Sequence, residues 1–196
     1  MLQPKEKRRA VFIDKDGTLV PDIPYNADPE LVTLEQDIIE GIRLLQQESF
    51  LLIVISNQQG IAKGYFTPGD LQKIWDKIFR LFEENGLWID AFYYCPHEHG
   101  ALMKEYDAVC NCQKPLPGLL FKAADDFSID LEQSWMIGDI LNDVEAGNRA
   151  GCKTILINNG NETEWITTKL RKPHGIAATI NEAASIILQY ELVRME

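Results

Sequence analysis

The sequence predicts an α/β protein built on a doubly wound parallel sheet. Short runs rich in β-branched and aromatic residues alternate along the chain with segments of helical periodicity, which is the pattern of successive β–α units. Several of these runs are apolar throughout, as expected for strands that are buried on both faces of a parallel sheet. Ligands of such sheets bind outside the carboxyl ends of the strands. We therefore expect the functional residues directly after strands.

Six strands and five helices are predicted. The strands cover residues 10–13, 51–55, 91–94, 134–137, 154–157 and 177–180. The clearest helix follows the second strand, because Thr67 and Pro68 suit its N-cap and first position, an apolar stripe follows, and Asn85-Gly86 ends it. That stripe consists of Leu71, Ile74, Trp75, Ile78 and Phe82. The other helices are predicted over residues 35–48, 119–126, 142–150 and 182–192.

The amino-acid composition is that of a globular protein. We expect a single domain over residues 1–196. The chain is 45% hydrophobic and 25% charged, which is enough apolar surface for an independent core. Its net charge of −11 repels nucleic acid and anionic lipid. The longest apolar run, residues 50–55, is too short to span a bilayer, and the apolar segment after the basic amino terminus is too short for an export signal. We expect a monomeric cytoplasmic protein that binds neither nucleic acid nor membranes.

A pair of carboxylates follows the first strand, in the run Asp14-Lys15-Asp16-Gly17-Thr18. Carboxylates two residues apart point to the same side of an extended chain, and Gly17 allows the backbone to turn immediately afterwards. A calcium loop is disfavoured because Gly17 and Tyr25 stand at the fourth and twelfth positions, where an EF-hand has glycine at the sixth and glutamate at the twelfth. Two solvated acids that cap a turn are the remaining alternative.

Polar or charged residues also follow other strands. The run Ser56-Asn57-Gln58-Gln59-Gly60 after the second strand could hold a phosphoryl oxygen or could be a simple turn. It lacks the Gly-Lys-Ser/Thr sequence of a P-loop. Lys114 precedes another helical segment and could neutralise a phosphate, while Asp139 follows the fourth strand and could add a third carboxylate. Each could instead be a solvated lysine or, like Asp143, an acid at a helix amino terminus.

A cysteine-rich loop interrupts the alternation. Cys95-Pro96-His97 and Cys110-Asn111-Cys112 are separated by twelve residues with little periodicity, a stretch long enough to need something that orders it. Three thiolates and one imidazole are the ligand set of a closed structural zinc site. In a reducing compartment, such a site is favoured over disulfides. His99 could replace His97, or the three thiols could be unligated. Cys152, beside the fifth strand, is predicted to be a small core residue.

The order of these motifs, an Asp pair, a hydroxyl, a lysine and a further Asp, resembles the haloacid dehalogenase (HAD) superfamily of phosphotransferases. With the cysteine loop and Pro24-Tyr25-Asn26, the chain is similar to the zinc-loop phosphatases of that superfamily, which act on D-glycero-D-manno-heptose 1,7-bisphosphate or on histidinol phosphate. The resemblance runs from about residue 10 to residue 181, and the loop length is similar to that of the heptose enzymes. Those enzymes typically carry Arg and Lys where this chain has Gln113 and Ile140. Recognition of a second phosphate is therefore expected to be weaker, unless Lys63 or Lys104 reaches the site.

The resemblance implies a Mg²⁺-dependent phosphomonoester hydrolase without a separate cap domain. Asp14 would attack phosphorus, and Asp16 would act as acid and then as base. Mg²⁺ would be held by Asp14, the Asp16 carbonyl and Asp139, with Asp143 behind them. The residues expected to bind substrate are Asp22, Tyr25, Ser56, Asn57, Gln58, Gln59, Gln113 and Lys114; Ser56 and Lys114 would also stabilise the transferring group, and the zinc ligands would be Cys95, His97, Cys110 and Cys112.

The expected reaction is removal of the 7-phosphate of the heptose bisphosphate. The zinc loop and residues 22–25 would shape the mouth of the site. Two alternatives remain: a phosphatase for another small monoester such as histidinol phosphate, and a catalytically silent phosphate-binding module.

Overall fold

The computed structural model describes residues 7–35, 37–166 and 168–195, and a parallel sheet of six strands lies at its centre. The strands are β1 (Ala10–Ile13), β2 (Leu51–Asn57), β3 (Ala91–Cys95), β4 (Trp135–Gly138), β5 (Lys153–Ile157) and β6 (Gly175–Ala177). Their order is β3-β2-β1-β4-β5-β6, and every neighbouring pair is parallel. Because the order reverses between β1 and β4, a crevice for ligands is expected at their carboxyl ends.

Helices cover both faces of the sheet. They are α1 (Ile38–Gln47), α2 (Pro68–Glu84), α3 (Gly118–Phe127), α4 (Leu141–Ala150) and α5 (Ile180–Met195). Buried side chains of α1, α2 and α5 pack in one core cluster, and those of α3 and α4 contribute to a second. This arrangement confirms the doubly wound α/β fold. Within the described ranges, no helix combines the length and the apolar character needed to cross a membrane.

Helix α2 begins and ends where the sequence predicts. The Thr67 hydroxyl accepts a hydrogen bond from the Asp70 amide (3.2 Å), and the Asp70 carboxylate accepts one from the Thr67 amide (3.1 Å). These reciprocal bonds satisfy amides that the first turn leaves without partners. The five residues of the predicted apolar stripe are all buried, and Asn85 is the C-cap.

The strand predicted over residues 177–180 is wrong, because β6 ends at Ala177 and α5 begins at Ile180. Thr179 and Glu182 form a cap that sequence reasoning overlooked: the Glu182 amide donates to the Thr179 hydroxyl (3.2 Å), and the Glu182 carboxylate accepts from the Ala178 amide (2.7 Å). This is the Thr-x-x-Glu signal of a helix start.

Other predicted elements are present, with ends that differ by up to three residues. Strand β2 continues to Asn57 and β3 to Cys95, so both extend into segments of functional interest. The helix predicted over residues 35–48 begins at Ile38, and Gln36 within that prediction lies outside the described residues. The first six residues, which open the basic amino-terminal stretch, also lie outside them.

Candidate active site

A cavity of about 380 Å³ opens at the carboxyl edge of the sheet. It is bordered by segments that follow β1, β2, β4 and β5, as the topology requires. The predicted site residues that line it are Asp14, Asp16, Asp22, Tyr25, Asn57, Gln58, Gln59, Lys114 and Asp139. Three other residues predicted for catalysis or for binding of substrate or Mg²⁺ do not border it, namely Ser56, Gln113 and Asp143.

A buried lysine lies between two carboxylates at the floor of this cavity. The Lys114 ammonium is 2.6 Å from an oxygen of Asp14 and 2.6 Å from an oxygen of Asp143, and it donates a hydrogen bond to the Ile55 carbonyl (3.0 Å). Asp139 brings a third carboxylate, so that ligand oxygens of Asp14, Asp139 and Asp143 lie within 4.8 Å of one another. One ammonium and three carboxylates are therefore buried together at this place.

The pKa values in this cluster follow from burial and crowding. Burial, with the negative charges of Asp143 and Asp16, raises the pKa of Asp14 to about 7 although Lys114 opposes the shift. Burial and the charge of Asp14 raise the pKa of Asp139 to about 6. Burial alone would lower the pKa of Lys114, but attraction to Asp14 and Asp143 holds it above its usual value. The lysine therefore stays charged, while crowding makes the neighbouring carboxylates easier to protonate than isolated ones.

Asp16 and Ser56 are linked through Gln58. One Asp16 oxygen lies 2.7 Å from the Lys15 ammonium, and the other accepts a hydrogen bond from the Gln58 side-chain amide (2.9 Å). The same amide donates to the Ser56 hydroxyl (2.7 Å). Ser56 is fully buried behind this contact, so Gln58 and Asp16 face the cavity in its place.

Asn57 holds the backbone of the buried lysine. Its side-chain amide donates to the Lys114 carbonyl (3.0 Å), and its side-chain oxygen accepts from the Lys114 backbone amide (2.9 Å). The sequence predicted Asn57 to bind substrate. Although the residue borders the cavity, both ends of its amide group are engaged by Lys114.

Sequence reasoning missed three polar residues around Asp139 and Gly17. The Thr18 hydroxyl donates to one Asp139 oxygen (3.1 Å), and the Asn161 amide donates to the other (2.8 Å). The Asn159 amide donates to the Gly17 carbonyl (2.7 Å). Gly17 itself has φ of +76°, and a side chain there would collide with Asp139 and Asn161. The polar run Asn158-Asn159-Gly160-Asn161 directly after β5 was the available signal.

The cysteine loop brings its predicted ligands together. Ligand atoms of Cys95, His97, Cys110 and Cys112 lie within 4.8 Å of one another, with Cys112 Sγ 3.0 Å from Cys95 Sγ and 3.2 Å from His97 Nδ1. His99 is outside this cluster and largely exposed, so His97 is the histidine that lies beside the three cysteines. Three thiols and one imidazole are a donor set that suits a tetrahedral metal such as zinc. Cys152 is buried in the core, as predicted.

The loop supports the active site from behind. The Gln58 backbone amide donates to the Cys95 carbonyl (2.7 Å), and Cys112 stands two residues before Lys114. The Met103 amide donates to the Ala62 carbonyl (3.0 Å). Among the described residues, the segment 22–26 lines the cavity as expected, whereas none from 95–112 does. The expectation that the cysteine loop itself forms the mouth is therefore corrected. The loop instead contacts residues 58–62, of which Gln58, Gln59 and Gly60 line the cavity.

The site lies at the reversal point of a parallel sheet. It combines a carboxylate pair after β1, a buried lysine and a carboxylate after β4, and this combination defines a phosphatase of the HAD-like class. Residues 111–183 match the HAD-hydrolase-like family. The chain is 37% identical over 155 residues to the D-glycero-beta-D-manno-heptose-1,7-bisphosphate 7-phosphatase of Haemophilus ducreyi, covering 78% of this chain and 85% of that protein. It belongs to the family of these heptose bisphosphate phosphatases and is a hydrolase of the HAD superfamily.

Two further relatives extend the comparison. The D-glycero-alpha-D-manno-heptose-1,7-bisphosphate 7-phosphatase of Campylobacter jejuni is 35% identical over 158 residues, which are 81% of this chain and 87% of that protein. The D,D-heptose 1,7-bisphosphate phosphatase of B. bronchiseptica, solved with magnesium and phosphate, superposes with a TM-score of 0.76 at 26% identity, covering 93% of this chain and 99% of that one.

Proposed function

We propose that this protein removes the 7-phosphate of D-glycero-D-manno-heptose 1,7-bisphosphate in a Mg²⁺-dependent reaction. The observation that carries the proposal is the position of Asp14, which lies on the cavity floor 2.6 Å from the Lys114 ammonium. The names of the relatives support the heptose substrate, and they include both the beta and the alpha anomer. The sequence-based expectation of a monomeric cytoplasmic enzyme is part of the same proposal.

The carboxylate cluster fits Mg²⁺. Its donors are hard oxygens, they converge within 4.8 Å, and they carry more negative charge than Lys114 can balance. Asp14, Asp139 and the backbone carbonyl of Asp16 would hold the ion, with Asp143 behind them. When bound, the ion would offset the charge of the phosphoryl group.

Asp14 is the proposed nucleophile. In the first step, an Asp14 oxygen forms a bond to phosphorus while the bond from phosphorus to the sugar oxygen breaks, and Asp16 gives its proton to that leaving oxygen. In the second step, Asp16 takes a proton from a water molecule that attacks the aspartyl phosphate, which releases phosphate and restores the Asp14 carboxylate. Splitting the displacement in this way replaces one high barrier by two lower ones.

The neighbouring side chains position these two carboxylates. Lys114 compensates charge at Asp14 and at the transferring phosphoryl group. Ser56 contributes by fixing the amide of Gln58, which in turn holds Asp16. The Asp16 side chain is 31% exposed, so it can meet a leaving oxygen at the cavity side.

The cysteine cluster is proposed to bind structural Zn²⁺. A metal held by Cys95, His97, Cys110 and Cys112 would fix both ends of the loop, and hence the segment that leads into Lys114.

The test is phosphate release from both anomers of the heptose bisphosphate and from histidinol phosphate and glycerol 3-phosphate, with and without Mg²⁺. We expect Mg²⁺-dependent release with the highest kcat/KM on a heptose anomer. The Asp14→Asn variant, free of deamidated product and wild-type enzyme, should lose at least about 1000-fold in kcat and remain folded by circular dichroism. A higher kcat/KM for histidinol phosphate or glycerol 3-phosphate, or an active Asp14→Asn, would contradict the proposal.

A further inference from the structure

The cavity lining has little positive charge available for a second phosphate. Among the described residues that border it, the basic ones are Lys15 and Lys114. Both are buried, and both are engaged: Lys15 lies 2.7 Å from Asp16, and Lys114 lies 2.6 Å from Asp14. A phosphate that does not react still needs charge-assisted partners if it is to add to binding. An accessible cation at the mouth of the cavity would be such a partner.

Lys63 is such a cation. Its backbone amide donates to the carbonyl of Gln59, a cavity-lining residue (3.0 Å), so the residue belongs to the turn that forms this wall. Its ammonium donates to the hydroxyl of Tyr25 (2.9 Å), and Tyr25 lines the cavity from the opposite segment. The Lys63 side chain is 32% exposed. The ammonium therefore lies beside the mouth and in contact with solvent.

Two segments hold this lysine in place. Glu98, which follows the cluster residue His97, lies 3.4 Å from its ammonium. The ammonium also lies 5.2 Å from the centre of the Tyr25 ring, and that ring packs edge-on against Tyr65 with centroids 4.6 Å apart. Tyr25 has φ of +55°, a conformation that a bulky residue adopts only where its surroundings enforce it. A flexible surface lysine would have none of these constraints.

We propose that Lys63 determines specificity for substrates with a second phosphate, by contacting the non-reacting phosphate group at the cavity mouth. This inference rests on the proposed phosphatase function. An ammonium has three donors, and Tyr25 and Glu98 engage two of them. The third is left for a phosphate oxygen, and the Tyr25 hydroxyl provides a second polar group at the same place.

The test compares wild type with Lys63→Gln and Lys63→Arg on the heptose 1,7-bisphosphate and on the matched heptose 7-phosphate. Loss of one hydrogen bond to a charged group should lower kcat/KM for the bisphosphate by about 10- to 100-fold, mainly through KM. The monophosphate should change by less than about twofold, because it has no group to meet Lys63. Lys63→Arg should keep most of the preference, since it keeps the charge.

Lys104→Gln is the matched control, because Lys104 is 83% exposed and pairs with Asp107 within its own loop. It should leave both substrates unchanged. Equal losses of Lys63→Gln on both substrates would show a structural role and overturn the inference, as would no loss on either. If wild type hydrolyses neither heptose compound, the proposed substrate fails, and fructose 1,6-bisphosphate with fructose 6-phosphate then serves as the matched pair. A fall in kcat/KM of Lys63→Gln on fructose 1,6-bisphosphate alone supports the inference. An equal fall on both fructose compounds, no fall on either, or no turnover of fructose 1,6-bisphosphate by wild type overturns it.

Discussion

Acidification should weaken Mg²⁺ binding steeply, because protons compete for two of the proposed ligands. The pKa of Asp14 is raised to about 7 and that of Asp139 to about 6, both chiefly by burial. Mg²⁺ binds the ionised carboxylates, so protons must leave before the ion can bind. The affinity for Mg²⁺ is therefore highest above pH 7 and falls as the pH drops through these two pKa values.

The size of the effect can be worked out from the two pKa values. Each carboxyl weakens the apparent affinity by about tenfold for every pH unit below its pKa. At pH 5 this gives about 100-fold from Asp14 and about 10-fold from Asp139, or about 1000-fold together relative to pH 8. Two carboxyls at the ordinary value of 3.8 would give less than about a 1.2-fold change over the same interval.

Isothermal titration calorimetry of the metal-free active site between pH 5 and pH 8, in buffers of different ionisation enthalpy, gives both the affinity and the number of protons released. In Asp139→Asn the change between pH 8 and pH 5 should shrink to about 100-fold, because only Asp14 still titrates. Asp22→Asn, an acidic cavity residue outside the proposed ligand set, should leave the wild-type slope intact. A wild-type affinity that varies less than tenfold over this range would refute the reasoning.

Three further predictions follow from particular contacts. Cys110→Ser should lose one equivalent of zinc per chain and unfold at lower temperature, as measured by elemental analysis and calorimetry; wild-type protein without zinc would contradict the zinc assignment. Asn57→Ala removes both hydrogen bonds to the Lys114 backbone. It should lower the free energy of unfolding by about 1–3 kcal/mol and also lower kcat. A kcat equal to that of wild type would show that Lys114 needs no such support. Ile140→Lys places a cation on the cavity wall and should raise the ratio of kcat/KM for the bisphosphate to kcat/KM for the monophosphate. Ile140→Met should leave that ratio unchanged. Equal ratios in the two variants would show that residue 140 does not determine selectivity.

The sequence predicted the residues that sit at strand ends, because parallel topology brings those ends to one edge. Asp14 follows β1 and Asp139 follows β4, and strands β1 and β4 are neighbours in the sheet. Lys114 was recognisable only by its order among the motifs, since it follows the cysteine loop and not a strand. Its contacts with Asp14 and Asp143 depend on how that loop is folded back.

Other features depend on three-dimensional packing that local patterns do not contain. Ser56 was expected to face the cavity, but Gln58 folds over it through a hydrogen bond between side chains two residues apart. Asn161 reaches Asp139 from a segment 22 residues further along the chain. Residues 177–180 did contain a local signal for a helix start, the Thr179 and Glu182 cap. The apolar character of the run outweighed that signal and led to the wrong prediction of a strand.

The position of the cysteine cluster also indicates where this chain can tolerate changes in sequence and length. The cluster residues stand at the two ends of a loop, so a metal bound there would fix the base of the twelve-residue insert between His97 and Cys110. The length and sequence of such an insert can change without moving β3 or the segment before Lys114, because the base and not the insert is joined to them. Exchanging this insert between relatives is therefore a way to redesign the wall around residues 61–64 while the phosphate chemistry stays intact.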